Sequence, residues 1–226
     1  MNCLYVIPAR GGSKGILRKN IRPLNGKPLI YYSIDIARSL VENENICVST
    51  DDDEIIKVVE DYGLSCFFKR PQELASDEAG TYEVLLHALN HYEKKGKEYD
   101  AIVLLQPTSP LRNSKEVEEA ISLFNKNLDM VVSVRESHAA AVICNEKESG
   151  YLELTLARNS TRRQDLKNYY EYNGAIYIIN VETLKRKHLR EFQRIKKYVM
   201  SLEHSIDIDT ELDWQLAEIV LKNETK

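Results

Sequence analysis

Short apolar runs alternate with longer amphipathic stretches through the first 134 residues of the chain. The apolar runs are predicted strands, at residues 3–9, 46–49, 65–68, 101–106 and 130–134. The stretches between them contain predicted helices, at residues 29–40, 53–62, 79–95 and 114–125. Such alternation is typical of βαβ units with a parallel sheet, and near-continuous apolar strands indicate that both sheet faces are covered. The sequence therefore predicts an α/β fold with a mostly parallel sheet, whose ligands bind at the carboxyl ends of the strands.

The alternation is interrupted between residues 137 and 172. Two short apolar runs there, at residues 139–144 and 151–156, surround a polar turn, and the segment after them is basic and contains several tyrosines. We interpret residues 137–172 as an inserted antiparallel element, a candidate lid and dimerisation element. The flanking parts, 1–136 and 173–226, form one domain. Its predicted later elements are a strand at 175–180, a helix from residue 181, a strand near 198–202 and a helix at 210–222.

Composition and charge exclude several classes of protein. With 43% hydrophobic and 29% charged residues among 226, the chain has the composition of an ordinary soluble domain. Its net charge of -4 provides no overall attraction to nucleic acids or membranes, and no apolar run approaches the roughly 20 residues of a membrane helix. We expect a cytoplasmic protein without nucleic-acid or membrane partners. The cysteines lack CxxC spacing and are expected to be reduced, buried thiols: Cys3, Cys47, Cys66 and Cys144.

The segment after the first predicted strand concentrates glycine and positive charge. Gly11, Gly12 and Gly15 allow the backbone to approach a ligand closely, and successive N–H groups in such a loop form a concavity for anions. The cationic side chains in and beside it are Arg10, Lys14, Arg18, Lys19 and Arg22. The spacing matches neither the P-loop nor the GxGxxG pattern. We predict a polyphosphate site, with a solvated basic turn as the alternative.

Two carboxylates, Asp207 and Asp209, lie two residues apart near the end of the chain. In a strand they would point to the same face, where their repulsion would favour Mg²⁺. This ion takes few protein carboxylates and uses substrate phosphates for much of its shell. The alternative is a strand end at which Asp209 or Thr210 caps the last helix. The residues alone leave both interpretations open.

Two other groups of candidate ligands are assigned structural roles. Asp51, Asp52 and Asp53 precede a predicted helix, where acids stabilise the positive end of the helix dipole. His87 and His91 are one helical turn apart but lack the HExxH context of a zinc site. They are expected on the surface or in the core beside a helix.

Short motifs are distributed along nearly the whole chain. They are IPARGGSKG at residues 7–15, RKN at 18–20, GKPL at 26–29, RP at 70–71, LASD at 74–77, LLQPTSPLR at 104–112, NGAIY at 173–177 and IDIDT at 206–210. In this order they resemble the motifs of the acylneuraminate cytidylyltransferases, the CMP-sialic acid synthetases. The resemblance implies a Rossmann-like nucleotidyltransferase domain with an inserted dimerisation element, and hence a homodimer.

The resemblance also implies a reaction. CMP is transferred from CTP to the anomeric hydroxyl of a sialic-acid-like 2-keto sugar acid, and pyrophosphate is released. The implied catalytic residues are Lys19, Arg10 and Asp209. Asp207 and Asp209 would bind Mg²⁺, with Mn²⁺ as a substitute. The implied nucleotide-binding residues are Ala9, Arg10, Gly11, Ser13, Lys19, Asn20, Arg70, Asp77 and Thr81.

The sugar end of the site is less closely specified by the resemblance. The implied sugar-binding residues are Gln106, Arg163, Gln164 and Tyr177. The sialate enzymes usually have a proline shortly after their arginine–glutamine pair, and this chain has Lys167 thereabouts. That departure leaves the sugar open among N-acetylneuraminic, pseudaminic, legionaminic and related acids. An eight-carbon KDO substrate ranks last because the KDO enzymes open with a different loop.

Two further alternatives belong to other functional classes. A non-catalytic nucleotidyltransferase-like binding module is disfavoured because Arg10, Lys19, Asp207 and Asp209 are all present. A metal-dependent glycosyltransferase is disfavoured because the cationic loop follows the first strand while the acid pair lies near the C-terminus.

Overall fold

The structure, a computed structural model, describes residues 1–13, 15–76, 80–137, 143–154 and 168–224. Its strands are β1 (Cys3–Pro8), β2 (Pro23–Leu24), β3 (Lys27–Pro28), β4 (Ile46–Ser49), β5 (Ala101–Leu104), β6 (Met130–Ser137), β7 (Cys144–Glu146), β8 (Leu152–Leu154), β9 (Tyr169–Asn180) and β10 (Ile195–Val199). Its α-helices are α1 (Leu29–Leu40), α2 (Asp53–Asp61), α3 (Thr81–Glu93), α4 (Ser114–Ser122), α5 (Val181–Leu184) and α6 (Glu211–Glu224).

The central sheet has the strand order β10-β6-β9-β5-β1-β4. β1 pairs in parallel with both β4 and β5, and β6 pairs in parallel with β10. β9 runs antiparallel between β5 and β6. The predicted mostly parallel α/β sheet is therefore confirmed, with one reversed strand in its middle.

Hydrophobic side chains fill both faces of this sheet. On one face, Ile34 of α1 and Val59 of α2 pack with Val117 of α4 in one buried cluster. On the other, Leu85 and Leu89 of α3 belong to a second cluster. A third, smaller cluster joins the glycine-rich loop to the last helix, because Ile16 of the loop packs with Trp214 of α6 in it. Its buried members are Ile16, Leu24, Leu29, Leu111, Ile208, Trp214 and Ala217. Burial of side chains of this size contributes about 1.5–3 kcal/mol each, so the loop is anchored by packing as well as by charge.

The inserted segment begins and ends at the carboxyl edge of the sheet. The pairing of β6 with β9 extends to Ser137 opposite Tyr169. Within the insertion, β7 and β8 form the predicted kind of antiparallel pair around a turn in which Gly150 has a φ of 79°. β7 begins at Cys144, where the first strand was predicted to end, so the turn is shorter than predicted. Residues 138–142 and 155–167 lie outside the described part of the chain.

Several predicted elements differ from those observed. The predicted strand at residues 65–68 is wrong: this segment has no regular structure, and its aromatic residues instead pack against α3, with the Phe68 ring 4.8 Å from that of His87. The preference of apolar residues for strands largely reflects side-chain packing. These residues pack without forming the backbone hydrogen bonds of a strand, so the preference was misleading here. The strand predicted near 198–202 occurs earlier, as β10. The expectation of four buried thiols is wrong for Cys144, which is exposed on the hairpin, whereas Cys47 is buried.

No helix in the described ranges is long and apolar enough to cross a membrane.

Candidate active site

A cleft of about 410 Å³ opens at the carboxyl end of the parallel strands. Its walls come from the glycine-rich loop, the segment before α3, the turn after β5 and the acid segment near the C-terminus. The side chains and backbone that line it include Arg10, Ser13, Gly15, Lys19, Asn20, Arg70, Gly80, Thr81, Gln106, Thr108 and Asp209. Most of the predicted nucleotide-binding residues therefore lie in one cavity, at the edge where α/β sheets bind ligands.

The glycine-rich loop is held to the segment that follows β4. The Gly11 amide donates to Asp51 Oδ1 at 3.1 Å, and Arg18 Nη1 donates to Asp52 Oδ2 at 2.5 Å. Arg18 also pairs with Glu54. Asp52 itself caps α2, since its Oδ1 accepts from the amides of Glu54 and Ile55. The predicted helix-start role of these acids is confirmed, and the same acids also hold the loop.

Two of the five cations of this segment serve as structural links rather than as walls of the cleft. Arg18 is paired as described above. Arg22 pairs with Glu211 and lies 4.4 Å from the Trp214 ring centroid, so it links the loop to α6. The sequence segment contains no acids of its own, and the compensating acids come from other elements. Lys14 lies outside the described residues.

Lys19 joins the loop to the acid segment. The residue is only 9% exposed, and its Nζ donates to the Ile208 carbonyl at 2.5 Å and to Asp209 Oδ1 at 3.0 Å. A β-carbon at Gly15 would lie 2.2 Å from the Asp209 carbonyl oxygen, so the close approach of loop and acid segment requires glycine there. The two segments that sequence analysis treated separately thus form one wall.

Arg10 and Arg70 are two further cations that line the cleft. Arg70 is 5% exposed, and its Nε donates to Ser49 Oγ at 3.0 Å. Burial lowers its pKa, Asp51 opposes that effect, and the nearby positive charge of Arg10 lowers the pKa further. Asn20 supports Arg10 by donating to its carbonyl at 3.0 Å. Both arginines line the cleft, and an anionic ligand there would offset their two positive charges.

Other predicted nucleotide-binding residues occupy different places. Ala9 and Gly11 are not among the described residues that line the cleft, and the Ala9 amide donates to the Ser49 carbonyl at 2.9 Å. Ser13 and Thr81 line the cleft, and Thr81 is the first residue of α3. Asp77 lies outside the described residues.

The acid segment is not a strand, although the predicted metal site assumed that Asp207 and Asp209 lie in one. Residues 206–209 have no regular structure, because only the Ile208 amide is bonded across, to the Thr108 carbonyl at 2.8 Å. The alternation nevertheless holds: Ile208 is fully buried between the exposed Asp207 and Asp209. Packing of the central residue, rather than a ladder, places both carboxylates on the outer side.

The surroundings of Asp207 disfavour its charge. Desolvation by the surrounding protein raises its pKa, a hydrogen bond from the Thr108 hydroxyl opposes this, and the charge of Asp209 raises it again. Its carboxylate packs against Gly174, whose φ is 75° and whose added β-carbon would lie 3.2 Å from Asp207 Oδ2. A cation beside this pair of acids would relieve their repulsion.

Helix capping uses a different residue from the charge pair. Thr210 precedes α6, and its Oγ1 accepts from the Asp213 amide at 3.3 Å while Asp213 Oδ2 accepts from the Thr210 amide at 2.7 Å. This reciprocal pair is a capping box. Of the two candidate caps, the structure selects Thr210 and leaves the side chain of Asp209 in the cleft.

These acids fit a divalent cation only as part of a shared shell. In the portion of the chain that is described, no group of three or more His, Cys, Asp or Glu side chains is arranged to hold a metal. Asp207 and Asp209 offer hard oxygen ligands next to the glycine-rich loop, to which Lys19 Nζ links Asp209 at 3.0 Å. This donor set suits Mg²⁺, which is bound through one or two carboxylates plus substrate phosphates and water.

The turn after β5 is organised by a buried arginine that sequence analysis assigned no role. Arg112 is 2% exposed and donates from Nη1 to the carbonyls of Gln106 and Ser109, at 2.7 and 2.5 Å. Burial lowers its pKa to about 9, opposed by Glu116 and Asp207. The clamped turn presents Gln106 and Thr108 to the cleft. Thr108 was likewise not among the predicted site residues, although both residues lie in the LLQPTSPLR motif.

Two of the four predicted sugar-binding residues are brought together. Gln106 forms a side-chain hydrogen bond with Tyr177, whose pKa is raised to about 12 by burial. Both line a second cavity of about 420 Å³, which adjoins the first through Gln106 and Thr81. Arg163 and Gln164 lie outside the described residues.

The paired histidines of α3 pack as expected. The rings of His87 and His91 lie 4.8 and 4.7 Å from that of Phe68, and burial lowers the pKa of each. They are packing residues of the helix.

Residues 4–224 match the family model described as cytidylyltransferase. The chain is 37% identical over 220 residues to an N-acylneuraminate cytidylyltransferase of Escherichia coli, a match that covers 95% of this chain and 51% of the relative. It is 33% identical over 229 residues to a CMP-N,N'-diacetyllegionaminic acid synthase of Legionella pneumophila, covering 98% of this chain and 97% of that relative. The chain thus spans about half the length of the first relative and nearly all of the second.

Among solved structures, the fold is similar to that of a CMP:2-keto-3-deoxy-manno-octonic acid synthetase complexed with CTP. The TM-score is 0.73 over 99% of this chain and 100% of the other, at 18% identity. At that identity the likeness supports the fold, and it agrees with the predicted Rossmann-like nucleotidyltransferase architecture.

Proposed function

This chain belongs to the cytidylyltransferase family, and from that premise we propose that it transfers CMP from CTP to the anomeric hydroxyl of a sialic-acid-like 2-keto sugar acid, with release of pyrophosphate. The observation that carries the proposal is the contact of Lys19 Nζ with Asp209 Oδ1 at 3.0 Å. It brings the cationic loop and the acid pair into one cleft, as a nucleotidyl transfer from a metal-bound triphosphate requires.

The nucleotide lies along the cationic side of the cleft. Arg10 and Lys19 bind the phosphates, and Ser13 and Asn20 complete this part of the pocket. Arg70 and Thr81, together with Asp77, surround the cytidine. Ala9 and Gly11 complete the nucleotide-binding loop, which the hydrogen bond from the Gly11 amide to Asp51 holds in place.

Transfer of the nucleotidyl group depends on positioning and charge neutralisation more than on covalent participation by the protein. The sugar hydroxyl attacks the α-phosphorus in line and releases its proton to solvent, a new P–O bond forms, and the bond to pyrophosphate breaks. Lys19 and Arg10 stabilise the charge on the phosphate oxygens. Their geometry is preset because Lys19 is buried and Asn20 holds the backbone of Arg10.

Asp207 and Asp209 are the residues that would hold Mg²⁺, with Mn²⁺ as a substitute. When bound, such an ion would supply Lewis-acid stabilisation of phosphate charge and would assist deprotonation of the attacking hydroxyl. Asp209 faces the cleft directly, while Thr108 and Gly174 hold Asp207 in place beside it.

The sugar acid lies against Gln106 and Tyr177, at the junction of the two cavities. Arg163 and Gln164 complete its site, because arginine recognises carboxylates through two parallel hydrogen bonds. N-acetylneuraminic, legionaminic and pseudaminic acids are all candidate substrates of this class. Relatives that match this chain over nearly their whole length carry the names of the last two.

Pyrophosphate release tests the function directly. The purified protein is incubated with Mg²⁺, each of four nucleoside triphosphates and a panel of nonulosonic acids. We expect release with CTP and at least one acid, loss of release on chelation, and recovery with Mg²⁺ or Mn²⁺. Binding of CTP without release in the presence of any acid would instead support the non-catalytic module.

We further propose a cytoplasmic homodimer, in which residues 137–172 contact the partner subunit near the sugar. The exposed apolar residues of the hairpin support this assembly: Ile143, Tyr151 and Leu152 are 50%, 75% and 73% exposed.

A further inference from the structure

The second cavity extends away from the reacting end of the site. It adjoins the cleft at Gln106 and then follows the sheet face, past Leu104 and on to Ile179 and Met130. Leu104 pairs with Tyr177, while Ile179 pairs with Ile102 and Met130, two residues farther from the carboxyl edge. At about 3.3 Å per residue, the cavity runs roughly 7 Å down the sheet.

Six of the eleven described residues that line this cavity are apolar, and a threonine, a glutamine and two tyrosines add uncharged polar groups. Met130 and Phe192 are 5% and 7% exposed, and they belong to the same buried cluster as Leu104 and Ile179. Arg190 is the single charged side chain among the described residues that line the cavity. Such a space suits an apolar group that carries one strong hydrogen-bond acceptor.

Arg190 is held at the cavity by its turn. His188 Nδ1 accepts from the Arg190 amide at 3.3 Å, and Glu191 Oε2 accepts from the His188 amide at 2.8 Å. The His188 ring lies 4.5 Å from that of Tyr82, so the turn packs on the first turn of α3. The Arg190 side chain is exposed, and no hydrogen bond or ion pair to its guanidinium occurs within the described ranges. Its backbone is fixed while its donors are available.

We propose that this cavity receives an acylamino substituent of the sugar acid and that Arg190 donates a hydrogen bond to the acyl carbonyl, which makes Arg190 a specificity-determining residue. This inference rests on the proposed function. The acyl methyl group packs against Met130 and Phe192. The carboxylate of the sugar acid is not the ligand of Arg190, because it is attached to the anomeric carbon and stays at the reacting end.

The test compares two variants on two substrates. Arg190→Ala removes the donor, and Lys187→Ala is the control, since Lys187 is an exposed cation of the same loop that does not line the cavity. The substrates are an acylamino sugar acid and its counterpart with a hydroxyl in place of the acylamino group. Arg190→Ala therefore loses a hydrogen bond from a charged donor with the acylamino substrate but not with the hydroxyl substrate.

For Arg190→Ala we expect the KM for the acylated acid to rise roughly 10- to 100-fold, with little change in kcat or in the KM for CTP. The KM for the hydroxyl counterpart stays within about twofold, so the variant loses its preference between the two. Arg190→Gln, which retains an amide donor, recovers part of that preference. Lys187→Ala behaves as the wild type, and equal melting temperatures confirm that all variants are folded.

The outcomes separate this inference from the proposed function. Wild-type protein that releases no pyrophosphate with any sugar acid overturns both. Active wild-type protein whose preference for the acylated acid is absent, or unchanged in Arg190→Ala, overturns only the role of Arg190. An equal loss with both substrates also overturns it, because that result indicates a general structural effect.

Discussion

At the scale of single residues, the buried ammonium of Lys19 lies where the glycine-rich loop meets the acid segment. Its hydrogen bonds to the Ile208 carbonyl and to Asp209 fix its position before any ligand binds. A donor that is already in place costs no reorganisation when charge develops on the phosphates.

Lys19→Ala should therefore reduce kcat by about 10²- to 10³-fold, since one preorganised donor contributes about 3–4 kcal/mol to transition-state stabilisation. Steady-state pyrophosphate release measures the effect. Lys69→Ala is the matched control, because Lys69 pairs with Asp53 on the surface. Turnover of Lys19→Ala close to that of the control would remove Lys19 from the catalytic residues.

Also at the residue scale, Gly15 and Gly12 provide a matched pair. A β-carbon at Gly15 would lie 2.2 Å from the Asp209 carbonyl oxygen, whereas one at Gly12 meets nothing within 4 Å. Gly15→Ala must displace the loop or the acid segment, and we expect kcat/KM for CTP to fall by about tenfold or more, as small misplacements at reacting centres do. Gly12→Ala displaces neither segment and should lower kcat/KM for CTP less than Gly15→Ala does. Equal kinetics of the two variants would contradict the close packing of these segments.

At the scale of elements, Asp129 ties together the ends of three neighbouring strands. It precedes β6, and its Oδ2 accepts from the amides of Gln193 and Arg194, which lead into β10. Its Oδ1 accepts from the Arg194 guanidinium at 2.7 Å, and its carbonyl accepts from the Asn180 amide at the end of β9. Burial alone would raise the pKa of this carboxyl, but these hydrogen bonds outweigh it and hold the pKa well below the usual range.

Asp129→Asn should lower the free energy of unfolding at pH 7 by about 2–3 kcal/mol, because the amide cannot accept all of these bonds. A depressed pKa stabilises the fold above the unfolded-state pKa of about 3.9, and the contribution declines as the pH falls below that value. In urea titrations, the difference in the free energy of unfolding between variant and wild type should therefore become smaller below about pH 4. Glu44→Gln, in an exposed pair with Lys97, should change stability by less than about 1 kcal/mol. A difference in the free energy of unfolding that does not change with pH would contradict the assignment of an ionised Asp129 carboxylate.

At the scale of the whole molecule, the exposed apolar residues of the β7–β8 hairpin lie in an insertion that starts and ends at the carboxyl edge of the sheet. Surfaces of this kind mark interaction sites. In the proposed homodimer, they place the partner subunit next to the sugar.

Sedimentation should accordingly give a species of twice the chain mass of 26.0 kDa. Replacing Tyr151 and Leu152 together by serine should raise the dimer dissociation constant roughly 10- to 100-fold, as loss of central interface side chains does. Leu212→Ser, equally exposed but on α6, is the control. A monomeric wild type, or a dimer weakened only by the control, would exclude the hairpin as the interface.

The sequence alone predicted the α/β class, most helix bounds and the anion-binding character of the first loop. These are local properties: α1 occurs at the predicted residues, because its apolar spacing and the preceding Pro28 suffice to define it. The strand predicted at residues 65–68 failed because side-chain packing onto α3 satisfied the same apolar residues without a ladder. The reversed strand β9 and the bond between Lys19 and Asp209 could not be predicted, since they join segments far apart in sequence.

Residue type already limits which side chains can bind phosphate or a cation, because charge and glycine content are properties of the sequence. Which of these residues line the cleft depends on the packing of distant segments. By charge alone, Arg18 and Arg22 could not be distinguished from Lys19, yet acids at the starts of α2 and α6 pair with the two arginines, whereas Lys19 lines the cleft. Arg190 had no sequence signal at all. Its candidate role arises because the sheet and the turn after α5 enclose an apolar cavity around one cation, and burial of this kind depends on contacts across the whole fold.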